Sequence, residues 1–339
     1  MKQFRFLLIF TLVVTFALSA CAPAAATEAP ATASETPLFY GAFATPIEEP
    51  WDGVIHVALQ KAADEGKIKY EYTDDIGYAG DMERVLTEIC ENQKPAAIFG
   101  DAFGNEEAVR RVAALYPNIA FVFGSGLGPS EPNVAVFDNW IHEPAYLTGM
   151  LAGGMSKSGV IGIVGAMPVP EVNRLANAFI LGAKEINPEV KVLVSFINSW
   201  YDPAAAKEAA LAQIDSGADV LYAERFGVIE AAVENGLYSF GNMSDQYELG
   251  PASVISGPVW SMTPTVEYVI NQIKAGSFTA MDLKDFSMVA KGGASLAPFH
   301  DNESKIPAEL LATVKDREKQ IKDGLFRVDI DEKSPEGAQ

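Results

Sequence analysis

The sequence is short of cysteine and histidine, and each shortage excludes a class of protein. It has 2 cysteines and 3 histidines among 339 residues. With so few cysteines the chain is not a disulfide-bonded scaffold, so its hydrophobic core alone must hold it folded. His56, His142 and His300 have no histidine or cysteine partner at metal-ligand spacing. We therefore expect no metal site.

Positive charge is also scarce. Lysine and arginine number 25 against 45 aspartate and glutamate residues, which gives a formal net charge of −20 at pH 7. This excess of negative charge argues against nucleic acid and polyanionic surfaces as partners. It says little about a small ligand, because such a ligand senses the local charge of its pocket.

Catalytic signatures are missing as well. The chain has no phosphate-binding G-x-x-x-x-G-K-[ST] and no dinucleotide-binding G-x-G-x-x-G motif. Three pairs of adjacent carboxylates occur: Glu48-Glu49, Asp74-Asp75 and Glu106-Glu107. Such neighbours are typical of solvated turns and first helical turns, whereas a glycosidase site needs two carboxylates paired in space. The sequence therefore predicts neither an enzyme nor a cofactor.

What is present begins with an export signal. Lys2 and Arg5 flank the start of the apolar run FLLIFTLVVTFALSA, so we predict a signal peptide over residues 1–20. The run ends in Leu18-Ser19-Ala20-Cys21, which resembles a bacterial lipobox, where Cys21 is diacylated. A plain secretory signal that happens to contain a cysteine is the alternative.

Residues 21–37 are expected to form a disordered tether, because APAAATEAPATASETP has nothing able to build a core. Two acyl chains on Cys21 suffice for stable anchoring. We expect the mature chain to be exported and lipid-anchored to the outer face of the bacterial cell membrane, or periplasmic.

The rest of the chain alternates predicted strands and helices, in the same order twice. The first pass runs over residues 38–126 and the second over 159–245. Continuous apolar strands separated by helices predict an α/β fold of two similar lobes, each with a parallel sheet covered on both faces.

The predicted domain boundaries follow from this repeat, with a hinge between the lobes. Residues 38–140 and about 252–285 are assigned to the first lobe, and 141–251 and about 286–327 to the second. Residues 328–339 are expected to form a frayed tail.

Ligands of parallel sheets bind outside the carboxyl ends of the strands. The loops that follow the predicted strands hold aromatic residues, amides and carboxylates and almost no lysine: TPIEEPW (45–51), DDIGYAGD (74–81), DAFGN (101–105), MPVPE (167–171), NSWYD (198–202), ERFG (224–227) and NMSD (242–245). Asp202, directly before Pro203, is expected to cap a helix. Two facing sets of such loops would form a cleft, which is the profile of a receptor for a small solute.

PVPEVNRLANAFILGAKEINPEVKVLVSFINSWYDP (168–203) resembles the basic membrane lipoprotein (BMP, PnrA-like) family, as do AKEAALAQIDSGADVLYAE (206–224) and SFGNMSDQ (239–246). With looser matches, the resemblance covers residues 38 to about 325. It implies a type I periplasmic-binding-protein fold with two Rossmann-like lobes. It also implies a monomeric substrate-binding lipoprotein that serves an ABC permease and carries purine nucleosides or, in one branch, purine nucleobases.

Two departures from the nucleoside branch favour a bare base. The first loop, TPIEEPWDG, lacks that branch's Asp-Lys-Ser-Phe-Asn run, and VISGPVW (254–260) lacks its lysine. Both departures weaken a ribose-binding role and leave other flat heterocycles open.

Aromatic rings grip the faces of a purine, and amides and carboxylates read its edge. From the match to the nucleobase branch and the strand-end positions, we predict four stacking residues: Trp51, Phe103, Trp200 and Trp260. The predicted edge contacts are Asn139, Asn198, Glu224, Asn242, Ser244 and Asp245. Packing in a lobe core or hinge is the alternative for each aromatic residue, and an ion pair near Glu224 is the simpler role for Arg225.

The leading hypothesis is a lipid-anchored receptor whose lobes close on a purine-type heterocycle and present it to an ABC permease. One alternative is a receptor of the same fold for a sugar, a vitamin heterocycle or a signalling molecule. Another is a receptor that passes its signal to a membrane sensor kinase. An enzyme is the remaining hypothesis, and turnover of a bound ligand would be its sign.

Overall fold

The structure, a computed structural model, describes residues 36–78 and 80–338. The predicted signal peptide, Cys21 and the tether up to residue 35 lie outside these residues. Across the described ranges, no helix is both long and apolar enough to cross a membrane.

The first half of the described chain builds a parallel sheet with strand order β2-β1-β3-β4-β5. Its strands are β1 (Leu38–Ala42), β2 (Lys69–Thr73), β3 (Ala97–Asp101), β4 (Ala120–Gly124) and β5 (Val134–Phe137). Phe39 of β1 lies opposite Tyr70 of β2 and Ala97 of β3. Strands β3, β4 and β5 are buried along their whole length, as parallel strands covered on both faces must be.

Helices α1 (Pro50–Asp64), α2 (Asp81–Asn92) and α3 (Glu106–Leu115) cover this sheet. Helix α1 begins sharply, because Pro50 occupies its first turn and the Glu49 carboxylate accepts hydrogen bonds from the backbone N–H groups of Trp51 and Asp52. This cap fixes the first turn of α1 at the carboxyl end of β1.

The second parallel sheet repeats the first. Its strand order is β7-β6-β8-β9-β10, which is the order of the first sheet with each number raised by five. The strands are β6 (Val160–Gly165), β7 (Lys191–Phe196), β8 (Val220–Ala223), β9 (Tyr238–Phe240) and β10 (Val254–Ser256). Ile161 of β6 lies opposite Val192 of β7 and Val220 of β8. The doubled α/β pattern predicted from the sequence is confirmed.

The fifth strand of the second sheet corrects a predicted boundary. Strand β10 pairs in parallel with β9, so the chain stays with the second lobe as far as Ser256. The sequence predicts the return to the first lobe at about residue 252, because VIS is too short to be recognised as a strand. Helix α8 (Thr263–Ala275), which comes after β10, packs against α1 and belongs to the first lobe.

The second lobe is completed by α4 (His142–Met155), α5 (Pro170–Ile186), α6 (Pro203–Asp215), α7 (Val228–Glu234) and α9 (Ala308–Lys322). Helices α4 and α5 lie unusually close, since a Cβ at Gly182 would stand 1.9 Å from the Tyr146 carbonyl oxygen. At α6, the Asp202 carboxylate accepts from the Ala205 N–H at 3.0 Å, so the predicted cap is confirmed.

Two short strands and the crossing segments join the lobes. Strand β11 (Pro258–Trp260) pairs antiparallel with β12 (Ala294–Leu296). Where the chain leaves β5, the Ser287 hydroxyl donates to the Asp138 carbonyl oxygen at 2.5 Å. These crossings form the hinge about which two such lobes can rotate.

The C-terminal tail is held against α5, which corrects the frayed tail expected from the sequence. The Asn173 amide donates to the Glu332 carbonyl oxygen at 3.1 Å, and the Asn177 amide donates to the carbonyl oxygens of Asp331 and Lys333. Arg174 pairs with the Glu332 carboxylate at 2.6 Å. The tail sequence is polar and carries no core pattern, so its docking is visible only in the structure, where α5 holds it and Val328 is buried in the core.

Candidate functional site

A narrow cavity lies between the carboxyl ends of the two sheets. Each sheet contributes from the loops that follow its strands, as the strand-end rule requires. The lining residues are Thr45, Glu49, Trp51, Asp52, Tyr78, Asp101, Phe103, Ser125, Glu171, Trp200 and Arg225. The predicted stacking residues Trp51, Phe103 and Trp200 thus face one interlobe space.

Trp51 is locked against the first lobe. Its ring stacks on Phe137, with ring centroids 5.6 Å apart, and lies 5.2 Å from Trp260. Gly124 makes room for it, because a Cβ there would stand 1.8 Å from Trp51 Cη2. The indole therefore offers the cavity only its uncovered side.

Phe103 and Trp200 meet across the cleft. Their centroids are 5.2 Å apart and their planes cross at 83°, an edge-to-face contact between the first and second lobes. The sequence suggested parallel plates on either side of a ring. The structure has no such pair here, so a ring inserted between Phe103 and Trp200 has to separate them.

Two polar contacts also bridge the lobes. Trp51 Nε1 donates to Glu171 Oε1 at 3.0 Å. Arg225 Nη1 donates to Glu49 Oε1 at 3.1 Å, and both of these side chains are buried. Together with the Phe103–Trp200 contact, these bonds define a closed arrangement of the two lobes.

Arg225 is the centre of a buried charge network. Its Nη2 donates to Glu224 Oε1 at 2.7 Å, its Nε donates to Glu224 Oε2 at 3.0 Å, and its Nη1 also donates to the Trp200 carbonyl oxygen at 2.8 Å. The predicted ion pair near Glu224 is confirmed. The additional pairing with Glu49 makes Arg225 an interlobe contact, which the sequence did not reveal.

The remaining carboxyl groups of the cavity are strongly desolvated. Burial, with the nearby Glu49 and Asp74 charges adding to it, raises the pKa of Asp52 to about 7. Burial, and after it the charge of Asp138, raises the pKa of Glu171 to about 8. Burial and then the Asp52 charge raise the pKa of Asp101 well above its ordinary range. Each of these carboxyl groups therefore keeps its proton to a higher pH than an exposed carboxyl group does.

Four of the predicted edge contacts do not line this cavity. Asn139 is fully buried at the hinge, beside Arg174. Asn198 is exposed in a left-handed turn with φ of 54°, a conformation that asparagine tolerates, and its N–H donates to the Ala166 carbonyl oxygen. Glu224 lies behind Arg225. Asn242 accepts from the Tyr222 hydroxyl at 2.8 Å on the same buried side.

The other three predicted residues, Ser244, Asp245 and Trp260, line a separate outer groove. Trp260 is only 2% exposed, and its Nε1 donates to the Ser287 hydroxyl. It supports Trp51 from behind, which is the hinge-packing alternative considered for it.

The polar residues that line the cavity were not predicted from the sequence. Tyr78, Asp101, Glu171 and Arg225 all lie in the loops that follow the predicted strands, so their position in the chain could have indicated them. The adjacent carboxylates Glu48 and Glu49 predict a solvated turn. Nothing in the local sequence indicates that Glu49 pairs with the buried Arg225, which is 176 residues away in the chain.

Comparison with known proteins identifies the family of the chain. A family model described as ABC transporter substrate-binding protein, PnrA-like (Bmp), matches residues 47–288. A purine-binding protein of Brucella abortus is 28% identical over 263 residues, covering 76% of this chain and 72% of that protein. A Haloferax volcanii ABC transporter protein, provisionally named as glucose-binding, is 33% identical over 229 residues, covering 66% of this chain and 58% of that protein.

Solved structures agree on the fold. An ABC transporter solute-binding protein from Aeropyrum pernix superposes with a TM-score of 0.73 at 18% identity, covering 87% of this chain and 94% of that one. Two consecutive parallel sheets with identical strand order, joined by a hinge, form the type I periplasmic-binding fold expected from the sequence.

Proposed function

The chain belongs to the PnrA-like (Bmp) family of ABC transporter substrate-binding proteins, and we propose that its lobes close on a purine-type heterocycle and present it to an ABC permease. The observation that carries this proposal is the interlobe cavity, where Trp51, Phe103 and Trp200 come together. Aromatic side chains of this kind grip flat rings whatever the identity of the base.

Closure is the mechanism of capture. A ligand that reaches both Phe103 of the first lobe and Trp200 of the second touches both lobes only when they are shut. It therefore stabilises the closed form by its differential affinity for the two forms. The Trp51–Glu171 and Arg225–Glu49 contacts belong to the same closed form and would be broken each time the cleft opens to admit or release the ligand.

The polar lining supports a base over a nucleoside. Tyr78, Asp101 and Ser125 place a hydroxyl, a carboxyl and a second hydroxyl at the cavity, which suit the donors and acceptors on the edge of a purine. The cavity is narrow, and the loop TPIEEPWDG lacks the ribose-binding run of the nucleoside branch. A sugar is the second candidate, because one relative is provisionally named for glucose.

Titration calorimetry with adenine, guanine, hypoxanthine, xanthine, their nucleosides and glucose tests this proposal. Replacing Trp200 with alanine should weaken purine binding by roughly 5- to 150-fold, the equivalent of about 1–3 kcal/mol for one lost stacking contact. Tyr201→Ala is the matched control, because this neighbouring aromatic side chain is 55% exposed and does not line the cavity. The ligand recovered after denaturation should be chemically unchanged.

Two results would reject the purine proposal. The first is the absence of heat from every purine on the panel, and the second is an affinity loss from Tyr201→Ala as large as that from Trp200→Ala. Binding of glucose alone would identify the sugar receptor instead.

We propose further that the receptor is a monomer anchored through lipidated Cys21. Cys21→Ser should move the protein from the membrane fraction to the soluble fraction, as followed by immunoblotting of separated fractions. Cys90→Ser is the control, because this thiol is buried in the first lobe and its loss leaves the N-terminus unchanged. A Cys21→Ser protein that stays with the membrane contradicts the anchor.

A further inference from the structure

We infer that the ligand carries a positive charge, as a planar heteroaromatic cation such as a protonated aminopurine or an N-alkylated ring. The inference rests on the proposed function, since it names the chemical class that the interlobe cavity selects. Four observations support it: the balance of charges around the cavity, one unpartnered carboxylate oxygen, the aromatic lining and the arrangement of the acidic groups.

The charges around the cavity do not balance. Its described lining holds the carboxyl groups of Glu49, Asp52, Asp101 and Glu171 and a single guanidinium, that of Arg225. The guanidinium is already used, because all three of its nitrogens donate to Glu49, Glu224 or the Trp200 carbonyl oxygen. Asp52, Asp101 and Glu171 are left without a cation among the described lining residues.

Asp52 has an oxygen with no partner. Its Oδ2 accepts from the Thr45 N–H at 3.0 Å and from the Thr45 hydroxyl at 2.6 Å. Asp52 lines the cavity and is only 2% exposed, and its Oδ1 is buried without any hydrogen-bond partner. A buried carboxylate oxygen in this state is costly, and a donor on the ligand would satisfy it.

The aromatic lining has the composition that recognises cations. Trp51, Tyr78, Phe103 and Trp200 line the same cavity as the acidic groups. The faces of such rings attract a positive charge, most strongly once it is desolvated, and ligand cations are bound in aromatic cages on this principle. A neutral oxopurine would gain the stacking but no favourable charge interaction with the acidic groups.

The charge is organic rather than a metal ion. In the described ranges, no group of three or more His, Cys, Asp or Glu side chains is arranged to hold a metal. The carboxyl groups are instead interleaved with indole and phenyl rings, which supply no metal ligands.

The protonation of the cavity sets the direction of the pH dependence. Burial raises the pKa of Asp52 to about 7 and that of Glu171 to about 8, so both groups lose protons as the pH rises through this range. A fixed cation pairs with the deprotonated forms, and its affinity should therefore increase from about pH 6 to about pH 8. The charged groups that face these carboxyls are Glu49, Asp74, Asp101, Asp138, Arg174, Glu224 and Arg225.

The experiment uses titration calorimetry to compare the binding of fixed cations and of neutral rings to the full-length protein and its variants. The cations are 1,9-dimethyladeninium, 1-methylnicotinamide and thiamine, which keep their charge across this pH range, and the neutral rings are hypoxanthine and xanthine. At least one cation should bind about tenfold or more tightly than both neutral rings. Asp52→Asn, which keeps an oxygen for Thr45, should lower the affinity of that cation about tenfold and change hypoxanthine binding less than about threefold.

Asp101→Asn is the second variant and should act in the same direction, which protects the test if Asp52→Asn fails to fold. Tighter binding of hypoxanthine or xanthine than of every cation overturns the charge inference and leaves the purine receptor intact. Binding of thiamine without any purine supports the charge inference and overturns the purine assignment. If no compound binds, both are overturned.

Discussion

Replacing Arg225 with methionine is expected to lower the free energy of unfolding by about 3–5 kcal/mol, because it removes one partner of a buried ion-pair network. The Glu224 carboxylate would lose both of its hydrogen bonds from the guanidinium, and Glu49 would lose its contact across the cleft. Each carboxylate would then be buried without a counter-charge. Urea denaturation followed by circular dichroism measures the change.

Two matched variants separate this network from general effects of losing an arginine. Arg84→Met removes an exposed ion pair with Asp81 and Glu88 and should leave the denaturation midpoint nearly unchanged. The triple variant with Glu49→Gln and Glu224→Gln removes the stranded charges and should recover much of the lost stability. A single Arg225→Met protein as stable as the unmodified chain would show that the network is not buried as described.

The Trp51→Ala variant is expected to lose both stability and ligand. The indole packs on Phe137 and Trp260, so its removal leaves a cavity in the first lobe at a cost of about 3–5 kcal/mol. It also removes the hydrogen bond from Nε1 to Glu171 and the aromatic surface facing the cavity. Denaturation in the presence and absence of ligand measures the two losses separately.

Trp51→Phe is the control for this prediction. It keeps an aromatic ring against Phe137 but loses the indole N–H, so it should retain more of the stability and part of the affinity. If Trp51→Ala bound the ligand as tightly as the unmodified chain, Trp51 would be a packing residue with no part in recognition.

The strand-end loops show how far sequence reasoning reaches into the site. Apolar runs of strand length separated by amphipathic helices identify a parallel sheet, and chain direction alone then places every following loop at the same edge. The match to the nucleobase branch then selected Trp51, Phe103 and Trp200, which line the cavity, whereas Tyr201 in the same loop as Trp200 is exposed and does not.

The polar residues predicted at the site lie outside the cavity for a physical reason. Asn198 and Asn242 follow strands just as Trp200 does, but a turn at φ of 54° directs the first away and a hydrogen bond from Tyr222 holds the second behind the cavity. Whether an amide or carboxyl faces a ligand depends on backbone angles and partners that are distant in the chain. Composition and spacing carry no record of either.

The sequence by itself determined the class of the molecule: an α/β chain that repeats, with aromatic residues at its strand ends and without catalytic or metal-binding motifs. These properties are local, because each depends on neighbours within one strand, helix or loop. Only the tertiary structure decided that Glu49 and Arg225 pair across the cleft, that β10 belongs to the second sheet and that Asp52 has an unpartnered oxygen. Such features depend on contacts between segments far apart in the chain, where packing and desolvation set the outcome.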